Sequence, residues 1–296
     1  MNRSRGTSLR MALLLSSLAA LASAASAEAA EGLLARGDGA YARRAEGQRD
    51  GRAAAGPIDE AIGAYEAAFR EDPKHLEAGW KLSRAIFFRA EYATPDAAER
   101  ERILARGVEY GRLAERELAA ALGATPSLED AEPAVAAQAF RGNPHAAPTI
   151  FWGALLVASA ARDANAIEAL RSGIASRLRR YAELVIALDP GYEAGGAHRL
   201  LGRLHAELPR IPFLTAWVER ERAVGELRRA LALGPEDPVN QLLLARTLLE
   251  LAPDERSQAL ALLERVASAP PRPDSVVEDA GAVRLARDLL ARAAAP

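Results

Sequence analysis

Small and apolar residues return along most of this chain at offsets of four and three, the spacing that lines up one face of an α-helix. Ile58 to Pro73, IDEAIGAYEAAFREDP, carries Ala61, Tyr65 and Ala68 on one face and stops at Pro73. RAVGELRRALALGP, ending at Pro235, holds Ala223, Leu227 and Ala230 at the same offsets. SQALALLERVASAPP repeats the arrangement with Ala259, Leu263 and Val266 before Pro271, and RRYAELVIALDP repeats its closing half before Pro190. A small residue at the first of these positions lets another helix approach, and the proline ends the helix before the next unit.

That pattern is the second helix of a tetratricopeptide (TPR) unit, whose period is about 34 residues. The first helices are expected in front of it. Gly191 to Leu208 pairs with the helix ending near Leu233, and Val239 to Leu251 with the helix ending near Ala267. Leu76 to Tyr92 is completed by Ala97 to Leu122, Thr149 to Ala161 by Ala164 to Leu188, and Asp274 to Ala293 forms a last capping helix. The spacing is uneven, and Gly123 to Pro148, with four prolines, is either a functional loop or a crossing between halves. The predicted fold is all-α: a right-handed superhelix of irregular TPR-like helix pairs.

Composition agrees with helices. Only 3 Trp, 6 Tyr and 6 Phe occur in 296 residues, and Ala, Leu, Arg and Glu dominate. The amino terminus reads differently from the rest. Arg3, Arg5 and Arg10 precede the apolar run MALLLSSLAAL, and Ala25-Ser26-Ala27 supplies a small-residue cleavage site. These are the three parts of a secretory signal peptide, residues 1–27, leaving 28–296 as the mature TPR-like domain. With no Cys in the chain there are no disulfides, no thiolate metal site and no acylated lipoprotein anchor. A formal charge of −2, more negative still without the leader, gives no basic field for nucleic acid.

Catalytic chemistry is hard to assemble. The chain lacks G-x-S-x-G, H-E-x-x-H and a phosphate-binding Walker loop, and its His residues stand scattered at 75, 145, 198 and 205. No enzyme activity, metal or cofactor is expected. Arg36-Gly37-Asp38 spells an adhesion tripeptide inside a first repeat helix, where chance is the simpler account. Binding is better supported. Trp80, Phe151 and Trp152 lie on successive first helices, the elements that face inward in stacked repeats, and are candidates for the wall of an apolar cavity. His198 and Arg199 are candidates for its polar end. The competing reading makes the aromatics plain interhelical core. Ile211, Phe213, Leu214 and Trp217, in PRIPFLTAW, are candidates for an oligomer interface or for a loop folded back on its own helices.

Several segments read in order resemble the T-component family of TRAP transporters (TatT). They are LLARGDGAYARR, IDEAIGAYEAAFREDP, EAGWKLSRAIFFRAEY, TIFWGALLVASAAR and YAELVIALDPGYEAGGAHRLLGRLHAELPRIP, closing with NQLLLARTLLEL. Asp189 to Pro209, with its Gly195-Gly196 pair and His198-Arg199, is the most distinctive tract. The resemblance implies a periplasmic, non-enzymatic accessory of a solute uptake system. It also implies a homotrimer that pairs with a periplasmic substrate-binding protein and hands over a hydrophobic or organic-acid ligand. Many relatives look like lipoproteins, so the missing Cys points here to a free periplasmic form. A general TPR scaffold for envelope assembly is the alternative, using the same concave face for a peptide.

Overall fold

The computed structural model describes residues 28–121, 132–163 and 172–294. The expected signal peptide lies outside the described residues. Helix α1 covers 28–42 and is followed by α2 (Ala55–Glu71), α3 (Leu76–Tyr92) and α4 (Ala97–Ala121). A short α5 (Pro133–Ala139) precedes α6 (Ala146–Asp163), α7 (Ile174–Leu188) and α8 (Tyr192–Glu207). The chain closes with α9 (Arg220–Leu233), α10 (Pro238–Leu251), α11 (Arg256–Ser268) and α12 (Val276–Ala294). Among the described residues there is no β-strand, and no helix is long and apolar enough to cross a membrane.

The helices pack as antiparallel neighbours, α3 on α4, α6 on α7, α8 on α9 and α10 on α11, and the pairs stack into a TPR-like superhelix. The repeat residues explain the packing. Ala61, Tyr65 and Ala68 on α2, Ala223, Leu227 and Ala230 on α9, and Ala259, Leu263 and Val266 on α11 are all fully buried. Their burial supplies most of the driving force a surface helix needs, because isolated helices of this length are marginal in water. The adhesion-like tripeptide is consumed here. Gly37 sits against the Tyr65 ring, and Asp38 accepts hydrogen bonds from the Tyr65 hydroxyl and Lys81 Nζ, both at 2.8 Å.

One expected boundary moves. The long interruption after α4 contains α5, started by Pro133 at its first turn, where a missing N–H costs nothing, and α5 packs on α7. The second helix of the central pair is described from Ile174, after Gly173 in the left-handed region; its expected start at Ala164 lies outside the described residues.

Three apolar clusters run along the superhelix, one among α1–α4, one around α6–α8 and one among α9–α12. The last helix contributes to two of them. Ala282 and Ala286 pack in the carboxy-terminal cluster, while Val277 is fully buried in the amino-terminal one with Leu34, Ala53 and Tyr65. Polar contacts follow the same seam. Arg44 holds Glu278 Oε1 through Nε and Nη2, both at 3.1 Å, and also donates to the Asp274 carbonyl. Arg284 donates to the Asp50 carbonyl at 2.8 Å. The helix expected as a cap therefore also joins the two ends of the superhelix. Val277→Ala is expected to cost roughly 2 kcal/mol, two buried methyls plus a partly uncollapsed void. Hydrogen exchange should quicken in α1 and α2, far away in sequence, more than in the adjacent α11.

Candidate functional site: the central cavity

Beside the joined ends lies a half-open cavity of about 820 Å³ bordered chiefly by the first helices of the pairs. Helical spacing sets what each one presents. On α3 the inward residues are Arg84, Phe87, Phe88 and Glu91; on α6 they are Phe151, Trp152, Leu155, Ser159 and Arg162. On α8 the sequence runs Gly196, Arg199, Leu200, Arg203, Leu204 and Glu207. On α3 two charged residues flank two aromatics, α6 is apolar up to Ser159 and Arg162, and α8 alternates arginine with leucine.

The middle is an aromatic wall. Phe87 and Trp152 lie 5.6 Å apart, Trp152 and Phe151 5.3 Å, and Phe151 and Tyr192 5.4 Å, all tilted or edge-on. Trp152 Nε1 donates to the Tyr192 hydroxyl at 2.9 Å, so its one polar atom is satisfied within the wall. Phe151 and Trp152 are buried, and the edges they leave uncovered border the cavity.

A backbone device sets the start of α8. Glu193, Ala194 and Gly195 all have positive φ, at 50°, 53° and 80°, a left-handed turn before the right-handed helix. Non-glycine residues held there cost on the order of 1–3 kcal/mol each and persist only when neighbours over-determine them. Asn240, fully buried, does so: Nδ2 lies 2.9 Å from the carbonyls of Ala194, Ala230 and Gly234, and Oδ1 accepts from Arg199 at 2.8 Å. The following glycine has a separate reason. A Cβ on Gly196 would lie 2.5 Å from the Phe151 ring, so only glycine lets that ring close on α8.

Charges at the ends are mostly neutralised. Glu91 receives Arg100 at 2.6 Å and Arg162 at 2.8 Å; burial pushes its carboxyl upward, but the two arginines outweigh it and hold it below its ordinary value. Glu207 follows the same balance between burial and its partners Arg203 and Arg246. Arg272 grips Asp279 with two nitrogens and reaches Asp237 at 3.0 Å. Arg199 stands 3.9 Å from Asp237, and its burial weakens its hold on the proton. Glu193 differs from the other wall carboxylates. It opens onto the cavity without a cation in ion-pair contact among the described residues, and burial raises its pKa against the pull of Arg84 and Arg199. Burial likewise raises the Tyr41 and Tyr92 phenols, which stay neutral on the wall.

Phe151, Trp152 and Arg199, singled out from the sequence, border this cavity together. Trp80 and His198 do not. Trp80 faces the segment before α6, where Nε1 meets His145 Nδ1 at 3.3 Å. His198 is buried against α9, its Nδ1 2.7 Å from Glu226 Oε2. One residue is about 100° of turn on a helix, so Arg199 points inward while its neighbour packs outward. The 209–217 segment folds back in part on its own helices. Thr215 is buried and bonds to Pro209 and Ile211, and Trp217 stacks edge-on to His205 at 5.5 Å. Phe213, with φ 66°, and Leu214 remain exposed, while Ile211 is half-buried.

No protein-family model matches the sequence, and no curated protein matches it. A crystal structure of a thermophilic TPR protein from Thermus thermophilus matches with a TM-score of 0.52 at 20% identity. The match covers 86% of this chain and 100% of that one. The fold is TPR-like.

Within this TPR-like superhelix the sequence reading missed Tyr41, Arg44, Arg84, Glu193 and Glu278, all on the cavity wall. Arg84 had a signal: it lies three and four residues before Phe87 and Phe88, on their face of α3. Arg44 and Glu278 had none, because their meeting depends on the closure. Among the described residues no group of three His, Asp or Glu is placed to hold a metal ion. The arrangement is suited to enclosing an apolar body with polar groups at its ends. Gly196→Ala is expected to push Phe151 off α8 and cost about 1–3 kcal/mol by overpacking. Thermal melting would show the loss, and near-ultraviolet circular dichroism would show the disturbed aromatic wall.

Proposed function

We propose that this chain is a non-enzymatic periplasmic accessory of a TRAP-type solute uptake system, holding a hydrophobic or organic-acid ligand in its central cavity. The cavity is the observation that carries the reading. It measures about 820 Å³ and has an aromatic middle, within the roughly 300–1,000 Å³ common for small-molecule sites. The leader-like residues 1–27 support export, and the ordered resemblance to TRAP T-components supports the association with a periplasmic substrate-binding protein. The TPR-like fold supports a binding role in general.

The general scaffold reading rests on the same fold and uses the concave face for a peptide. Assembly as a homotrimer is part of the proposal. Phe213 and Leu214 are its contact residues, because an exposed phenylalanine at positive φ is a costly surface feature for a monomer.

Two measurements test this. Trp152→Ala should lower the affinity for an apolar probe by ten-fold or more, measured by calorimetry, while far-ultraviolet circular dichroism still shows the helical fold. A drop of about 3–5 kcal/mol in stability with probe affinity unchanged would return Trp152 to simple core packing. Light scattering at micromolar concentration should give three times the chain mass, reduced to one by Phe213→Asp. A wild-type monomer would refute the assembly.

A further inference from the structure

Six arginines border the cavity: Arg44, Arg84, Arg162, Arg199, Arg203 and Arg272. Five have a carboxylate within 4 Å: Arg44 with Glu278, Arg162 with Glu91, Arg199 with Asp237, Arg203 with Glu207 and Arg272 with Asp279. Arg84 has none among the described residues. Its guanidinium carbon lies 4.0 Å from the centre of the Tyr41 ring and 5.1 Å from that of Trp80, an aromatic clamp that fixes the cation without neutralising it. Its Nε is covered by protein, with no hydrogen-bond partner among the described residues, and the Tyr65 hydroxyl is a neighbouring polar group.

We infer that Arg84 is the anchor for the head group of a monocarboxylate whose alkyl or aryl body lies along Phe87, Trp152 and Phe151. The inference rests on the cavity being a ligand site and adds the ligand's charge and its orientation. One turn separates Arg84 from Phe87 on α3, so a head group at the guanidinium starts beside the aromatic wall. A single unpaired cation matches a single negative charge, and the planar guanidinium matches a carboxylate in two parallel hydrogen bonds. Glu193 is the one wall carboxylate without an ion-pair partner among the described residues. In its protonated form it donates a hydrogen bond to the same head group, and in its charged form it opposes an anion.

The experiment compares decanoate, decanol and decyltrimethylammonium, three probes with one tail and different heads, by calorimetry on the full mature chain at neutral pH. Decanoate should bind about ten-fold or more tighter than decanol, the worth of one charge-assisted contact. Arg84→Gln should erase that preference while decanol affinity stays within a few-fold, and Trp152→Ala should weaken both probes alike. Should Arg84→Gln unfold, Arg84→Lys keeps the charge but loses the paired geometry, and the preference should shrink to a fraction of its value. Equal binding of decanoate and decanol by the wild type overturns the inference and leaves the apolar site standing. Tighter binding of the cation also overturns it and moves recognition to Glu193. Binding of none of the three overturns the cavity as a ligand site and this inference with it.

Discussion

Val277 is buried among residues of the first helices, and the rest of the architecture depends on that one insertion. Stacked helix pairs by themselves make an open groove. Seating the last helix against the first, with Arg44 and Glu278 as the polar part of the contact, gives the groove a further wall beside those of α3, α6, α7, α8 and α10. Burial drives the insertion, while the arginine is a specificity device. Both partners of that ion pair are less than one-fifth exposed, so its net contribution is small and its removal from one side would be costly.

Charge around the cavity is governed by the same balance of burial and pairing. An arginine-rich sequence inevitably places guanidinium groups on inward faces. Most are neutralised locally by a carboxylate one helix turn or one helix away, and burial then raises the demand on each pair. Where the pairs are complete, the carboxylates are held ionised against their own desolvation, as at Glu91 and Glu207. Where no cation is in contact, desolvation wins, as at Glu193. The contrast between these sites comes from geometry, since all three are glutamates on inward-facing helices.

Much of the helical organisation was legible because its signal is local. Proline spacing and the small–large–small offsets marked α2, α9 and α11, and the residues at those offsets are buried as the pattern requires. Local patterns do not carry rotation about the helix axis to better than one residue. That is why Arg199 and its neighbour His198 were grouped, although one faces the cavity and the other packs on Glu226. Long-range closure was illegible for a different reason. Nothing near Arg44 announces Glu278, which lies 234 residues later. The short α5 escaped notice because four prolines in one tract read as a break, whereas Pro133 starts a helix.

Repeat arrays ordinarily behave as one-dimensional chains, each unit stabilised by its nearest neighbours and free to fray from either end. The seam at Val277 removes those ends. Loss of any pair then strains the contact between α1 and α12, so melting should be shared across the array instead of starting at a terminus. The same contact is made between residues far apart in sequence, which raises the loop-closure entropy that folding must overcome. It also waits for nearly the whole chain to be available. Until residue 277 has emerged from synthesis, the first helices exist with an apolar face uncovered, and the finished seam is the last structure the chain acquires.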